Sequence, residues 1–303
     1  MGLVGRFAPS PTGDLHYGSL VAAVGSWLDA KSSPDGRWLL RIDDLDTARV
    51  RADSEASILA TLKACGFDWP CPIWRQSTRL QRYHESLERL RQRIPLFRCQ
   101  CSRRQLAAEG EACCVGRCRQ LPCDPRDSAL RADLSGLDPM LIFDRSLGEV
   151  RFDPARHSDV IVCRRDGVFA YQFAVVIDDA DQGVTDVVRG ADLLDSTAWQ
   201  LGLSQALGLP APRYMHLPVV VEADGQKLAK SRHSVCVRDG HVAGHRVASE
   251  RIATQLRRVL QDLGQRALPA GIHDPREILQ IAATVWQPER FKGKREIRLP
   301  PQA

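Results

Sequence analysis

The 303-residue sequence has no apolar run near the roughly 18–20 residues that a bilayer-spanning helix needs. Its start, Met1-Gly-Leu-Val-Gly, lacks the long apolar core and cleavage site of a secretory signal, so a cytoplasmic protein is expected. Met1-Gly2 alone is no argument for lipidation. There is no internal repeat and no low-complexity tract, which sets aside solenoids and disordered linkers. Charge is not extreme either. A formal +5 and a pI near 8.7 permit a polyanionic partner without demanding one. Hydrophobic content of 44% and charged content of 26% are ordinary for a globular chain, and the length fits one large domain with an insertion, or two domains.

Cysteine, by contrast, is plentiful and clustered. Six of the ten stand at Cys99, Cys101, Cys113, Cys114, Cys118 and Cys123. In a cytosolic chain such clustering favours metal or catalysis over disulfides. Cys99-Gln-Cys101 is followed, after twelve intervening residues, by Cys114-Val-Gly-Arg-Cys118, and Gly110 and Gly116 permit the tight turns of a metal knuckle. Four thiolates suffice for a closed tetrahedral zinc site. A set of buried free thiols is the plain alternative, and Cys113 or Cys123 could substitute as ligands.

The chain is organised around Arg6-Phe-Ala-Pro-Ser-Pro-Thr-Gly-Asp-Leu-His-Tyr-Gly-Ser-Leu20. A short apolar run turns through two prolines and a glycine into a helical pattern (Leu20, Val21, Val24, Trp27, Leu28). A strand entering a helix this way presents free N–H groups and a positive dipole end to a phosphate. His16 could donate there, and Gly13 and Gly18 allow close approach; an ordinary glycine-rich turn is the bland reading. Next, Trp38–Ile42 reads as a strand ending in Asp43-Asp44-Leu45-Asp46, at the edge where α/β sheets bind ligands, or as a turn whose carboxylates cap a helix. Residues 50–66 and 83–94 read as helices, and 124–158 as a small inserted α+β region. Val160–Asp179 reads as a hairpin turning at Asp166-Gly167, then a helix or strand. Arg189 closes a strand where its fork could meet a carboxylate, or pair at the surface with Asp192 or Asp195. A helix over 197–207 ends at Gly208, and Tyr214–Glu222 is a strand. Lys227-Leu-Ala-Lys230-Ser231 follows a glycine turn; lysine pairs on loops are usually solvated. Helical patterns over 246–264 and 274–286 precede the basic stretch Arg290–Arg295.

These segments together resemble the class I aminoacyl-tRNA synthetases. His16-Tyr17-Gly18-Ser19 is similar to their HIGH signature, and the preceding Arg-Phe-Ala-Pro-Ser-Pro-Thr-Gly is the form of the glutamyl/glutaminyl branch. Lys227–Ser231 resembles the KMSKS loop, with Leu228 and Ala229 in place of its Met and first Ser. Gly-Phe-Asp-Trp, Gln-Ser, the Tyr171 segment and Arg189 also match, so the resemblance spans roughly residues 5 to 235. Within this branch the cysteine pattern resembles the short glutamyl-queuosine tRNA(Asp) synthetases, with Cys114 where they carry a tyrosine. Asp43 stands where the branch has a glutamate, one methylene longer.

The resemblance implies a Rossmann-type α/β catalytic domain (1–96 and 159–224) split by a zinc-bearing insertion (97–158). A short helical C-terminal region (225–303) without an anticodon-binding domain is expected, since 303 − 231 leaves 72 residues after Ser231. It implies activation of L-glutamate by ATP and Mg²⁺, then transfer of glutamate to queuosine at the wobble position of tRNA(Asp). His16, Lys227 and Lys230 would act on the phosphates, with Gly18 and Ser19 lining the ATP site. Arg6, Phe7, Ala8, Pro9 and Ser10 would hold glutamate, Asp43 and Tyr171 its ammonium end, and Arg189 its distal carboxylate. Cys99, Cys101, Cys114 and Cys118 would hold structural Zn²⁺. A monomer without membrane association is expected. The rivals are conventional charging of a tRNA 3′ end, a small-molecule nucleotidyltransferase, and a non-catalytic tRNA-binding paralogue.

Overall fold

The computed structural model describes residues 2–108, 114, 116–137, 141–153, 156–221 and 245–298. Strand β1 (Val4–Phe7) is buried along its whole length, as a central strand covered on both faces must be. It pairs in parallel with β2 (Arg37–Ile42), Val4 opposite Arg37 and Phe7 opposite Leu40, and β2 pairs with the short β3 (Trp74–Arg75). On the other side of β1 lies β9 (Asp186–Gly190), itself parallel to β10 (Arg213–Leu217). The join is made by Thr185, whose N–H donates to Val4 O at 3.0 Å while its Oγ1 accepts from Val4 N at 2.9 Å. Their carboxyl ends converge, as a doubly wound α/β fold requires at its ligand edge.

Helix α1 (Tyr17–Lys31) is buried nearly all round, because it is wedged between this sheet and the last two helices, α7 (His245–Asp262) and α8 (Pro275–Thr284). Leu20, Val24, Leu28, Leu256, Val259, Ile278 and Leu279 form one core with the Phe7–Trp38–Phe67 ring stack. Thus the C-terminal helices, expected from periodicity alone, share the core of the sheet rather than forming a separate body. Helix α2 (Ser54–Ala64) stops before Gly66, whose φ of +85° suits glycine. A Cβ there would lie 2.5 Å from Arg276 Cα, so the α2 turn and the start of α8 touch backbone to backbone.

A second core is built from α3 (Leu80–Arg91), α5 (Tyr171–Asp181) and α6 (Leu194–Leu207), around Tyr83, Phe173 and Leu203. They cover an antiparallel sheet, β4 (Leu96–Cys99), β5 (Ala129–Asp133) and β8 (Asp159–Cys163). Because β8 is hydrogen-bonded to β5, the sheet of the inserted segment runs to Cys163, past the boundary expected at 158. A hairpin of β6 (Leu141–Asp144) and β7 (Gly148–Arg151) lies against β10. The expectation of α+β structure over 124–158 is corrected here. Its described residues form strands and one 3₁₀ turn at Pro125–Asp127, since β5 must pair on both edges. Helix α4 (Arg103–Ala108) lies between the two cysteine pairs. Among the described residues no helix is long and apolar enough to cross a membrane.

Candidate functional site

At the carboxyl end of β1 the chain turns into α1 with His16 as N-cap. The His16 ring folds onto Ser19, Nδ1 accepting from the Ser19 N–H at 3.2 Å and Nε2 lying 2.8 Å from Ser19 Oγ. A 15-residue helix with no acidic residue in its first turn leaves its positive end to an anion. Gly18, half-buried, lies in contact range of the ring, 3.4 Å from a built Cβ to His16. Ahead of the turn, Ser10 is exposed and Ala8 and Pro9 are half-buried. Pro9 O accepts from the Asp43 N–H at 3.0 Å, which ties this loop to the end of β2. Phe7 differs from expectation. Its ring is stacked on Trp38 in the core, so only its backbone remains for a ligand.

Behind the loop lies a buried charge network that periodicity could not reveal. Arg6 donates through Nε and Nη2 to Asp179 at 3.3 Å, and Arg41, with no exposed surface, donates to Asp179 at 2.7 Å and to Asp43 Oδ1 at 2.8 Å. Asp178 accepts from Gln76, Arg79 and Tyr83 at 2.7–3.0 Å. One arginine thereby joins β2 to α5, and one aspartate joins β1 to β2. Burial pushes the Asp43 carboxyl up to about 6 although Arg41 pulls against it. For Asp179 the burial penalty is outweighed by Arg6 and Arg41, which hold it below the usual carboxylate value. Arg41 Nη2 and Asp43 Oδ2 are buried without a hydrogen-bond partner. The acidic run itself divides. Asp43 joins the network, Asp44 accepts from Ser77 N–H and Oγ at 2.8 and 2.6 Å, and Asp46 pairs with Arg49 and Arg164. The only signal in the sequence was Asp178-Asp179 closing the apolar run of α5; two carboxylates there need cationic partners.

Arg189 ends β9 with 5% of its surface exposed. Its fork is held by neutral groups: Gln200 Oε1 and Thr197 Oγ1 each at 2.7 Å, and His216 Nε2 at 3.3 Å, with Tyr214 beneath it at 5.2 Å. His216 in turn faces Asp144, which also accepts from the N–H groups of Ser146 and Leu147. An arginine that donates to Nε2 requires that nitrogen bare, so Nδ1 carries the proton and His216 is neutral. Burial agrees, lowering the affinity of His216 for a second proton. Tyr171, the first residue of α5, is 38% exposed. Lys227, Lys230 and Ser231 lie outside the described residues.

The sulfurs of Cys99, Cys101, Cys114 and Cys118 all lie within 4.8 Å of one another, with Cys101 3.8 Å from Cys114 and 3.6 Å from Cys118. Burial pushes the thiols of Cys101 and Cys118 up to about 11 and that of Cys114 to about 12. At Cys99 burial is outweighed by the Arg131 guanidinium together with hydrogen bonds from the Cys101 backbone and the Cys114 side chain, which hold its thiol below the usual value. Asp159 fixes the second pair, bridging Arg131 at 2.6 Å to the N–H groups of Cys114 and Gly116, each at 3.4 Å. The cluster could hold a metal ion. Cys113 lies outside the described residues, and Cys123 packs at the cluster's edge.

Residues 3–268 match the family of class I tRNA synthetases (E and Q), catalytic domain. A glutamyl-Q tRNA(Asp) synthetase of Pseudomonas aeruginosa is 45% identical over 283 residues, 93% of this chain and 89% of the relative. One from Pseudomonas syringae pv. syringae is 49% identical over 233 residues, 76% of this chain and 78% of the relative. Among solved structures, a glutamate tRNA ligase of Elizabethkingia meningosepticum in complex with its amino acid matches 98% of this chain and 67% of its own, with TM-score 0.76 and 22% identity. Glutamate-tRNA synthetase of Elizabethkingia anophelis matches 99% and 68%, with TM-score 0.77 and 23% identity. At that identity the likeness is one of fold.

Proposed function

The chain belongs to the class I tRNA synthetases of the glutamate and glutamine branch, and from that premise we propose that it activates L-glutamate with ATP and passes it to queuosine in tRNA(Asp). Relatives of that name match nearly end to end, which supports the reading over conventional 3′-end charging. The observation that carries the amino-acid half is Arg189. A buried guanidinium whose three donors rest on the neutral groups of Gln200, Thr197 and His216 keeps its charge for a carboxylate, which suits the distal end of glutamate.

In the first step an oxygen of the glutamate α-carboxylate attacks the α-phosphorus of ATP, and pyrophosphate leaves with the broken P–O bond. In the second, a hydroxyl of the queuosine cyclopentenediol attacks the acyl carbon, and AMP leaves. The protein's contribution is positioning and electrostatics. We assign the phosphates to the start of α1, with His16, Gly18 and Ser19, and to Lys227 and Lys230. Bound Mg²⁺ would neutralise phosphate charge. Arg6 and the backbone of Phe7–Ser10 hold the glutamate. Tyr171 and Asp43 take its ammonium end: Tyr171 is already open, whereas Asp43 Oδ2 must be uncovered before a ligand can reach it.

The four cysteines fit zinc. A tetrahedron with Zn–S of about 2.3 Å has edges of about 3.8 Å, and two sulfur pairs lie at 3.8 and 3.6 Å. Zn²⁺ there would tie the loop before α4 to the loop after it and leave no open position for chemistry. In this reading the protein works in the cytoplasm as a monomer.

The decisive experiment offers labelled glutamate and ATP to bulk tRNA from queuosine-proficient and queuosine-deficient cells. Label confined to the proficient pool is the expected result. Equal label on both would establish ordinary aminoacylation instead. No label on either pool, with intact pyrophosphate exchange, would mean a different acceptor.

A further inference from the structure

The basic stretch after α8 is anchored as a strap. Phe291, 1% exposed, packs in the main core against Trp286, and Ile297 packs against the same core. Between these anchors Gly293 N–H donates to Ser146 O at 2.8 Å, and Arg295 O accepts from Val219 N–H at 2.9 Å. The chain then forms β12 (Glu296–Arg298), parallel to β11 (Val219–Val221), with Val219 opposite Glu296. Ser146 also donates to Asp144, the carboxylate behind His216, so the strap sits beside the brace of Arg189. It runs along β11.

With the apolar side chains turned in, the cations are left outside. Arg290 is held by Gln287 Oε1 and Gly264 O. Lys292, Lys294, Arg295 and Arg298 are exposed, and no carboxylate among the described residues pairs with them. Residues 289–298 hold five cations against Glu289 and Glu296, a net of three out of the chain's formal +5. A loose tail would lose much conformational freedom on gripping a partner; here folding has already fixed the backbone.

We propose that Lys292, Lys294, Arg295 and Arg298 form a contact for the tRNA backbone, gripping phosphates independently of sequence while the amino-acid site does the chemistry. This rests on the reading that the acceptor is a tRNA. The test compares wild type with the triple variant K292A/K294A/R295A, binding tRNA from queuosine-proficient cells across a salt series. Loss of three phosphate contacts should weaken binding about ten- to hundredfold near 0.1 M salt and lower the slope of log K against log salt by roughly 2–3. Glutamate-dependent pyrophosphate exchange without tRNA should stay at the wild-type rate. The charge-keeping variant K292R/K294R/R295K should bind as wild type does. Unchanged affinity and slope in the alanine variant would overturn the proposal, as would equal loss in the charge-keeping one. Failure of the underlying reading is seen separately, as wild-type protein that transfers glutamate to no tRNA.

Discussion

His216 Nδ1 lies 2.6 Å from Asp144 Oδ2, and neither side chain has any exposed surface. The pair stands directly behind Arg189, so Asp144 selects the tautomer that lets His216 accept from the arginine. Asp144→Asn keeps the shape but offers an amide where a carboxylate was, and Arg189 loses its fixed acceptor. The KM for glutamate should rise about tenfold or more while the KM for ATP holds. Thermal stability should fall by several degrees, in line with about 2–4 kcal/mol for breaking a buried charged hydrogen bond. Exchange kinetics and calorimetry on the purified variant check both.

The same pair sets a pH dependence. Burial depresses the proton affinity of His216; at Asp144 burial works the other way but is outweighed by His216 and the N–H groups of Leu147 and Ser146 together, which depress its proton affinity too. Both folded values lie below the unfolded ones, so the stability each contributes is complete above its unfolded value and lost as pH falls. For His216 that window opens below about 6.5. Melting temperature should therefore decline from about pH 6.5 downward, and His216→Gln should flatten that limb.

Asp43 has the opposite sign. Its carboxyl is raised to about 6 by burial, with Arg41 opposing and Asp178 and Asp179 adding to the rise. A raised carboxyl contributes stability at low pH that is lost as pH rises through about 6, while the charged form suited to an ammonium exists only above it. The KM for glutamate should climb as pH drops below about 6. Arg41→Gln removes the opposing cation and should move this limb upward, whereas Arg41→Lys should largely restore it. A limb that stays in place in Arg41→Gln would exclude Asp43 as its source.

Metal removal tests the cysteine cluster. We expect one tightly bound zinc per chain by elemental analysis. Cys101→Ser or exhaustive chelation should lower the melting temperature and expose residues 99–118 to proteolysis. Amide exchange in β1 and β2, far from the knuckle, should change little.

Tyr17 Oη lies 2.5 Å from Asp262 Oδ2, with Arg258 over its ring at 5.4 Å. This is a polar link between α1, close to the His16 turn, and the end of α7. Tyr17→Phe leaves the ring and removes the donor, and because Arg258 still lies 4.0 Å from the Asp262 carboxylate the cost should be that of one hydrogen bond, about 0.5–1.5 kcal/mol. Denaturant unfolding should show that loss, and an unchanged midpoint would mean that apolar packing alone docks α7.

What the sequence by itself determined is whatever depends on neighbours in the chain. The strand–turn–helix of residues 4–31, the stop at Gly66, the left-handed cap at Gly208 and the clustering of cysteines follow from local sterics, periodicity and spacing. The two C-terminal helices were legible in the same way. Tertiary structure alone decided how charges meet. Arg6, Arg41, Asp43 and Asp179 come from β1, β2, the residue just past β2, and α5, up to 173 residues apart, and only the sheet order brings them together. Asp144 and His216, 72 residues apart, carried no sign of their partnership. The same holds for Phe7, which looked like part of a ligand motif and is a core ring, and for the basic stretch, whose pinning by Phe291 and Ile297 no local pattern announced. Periodicity reports which face of an element is buried; it carries no information about which element buries it.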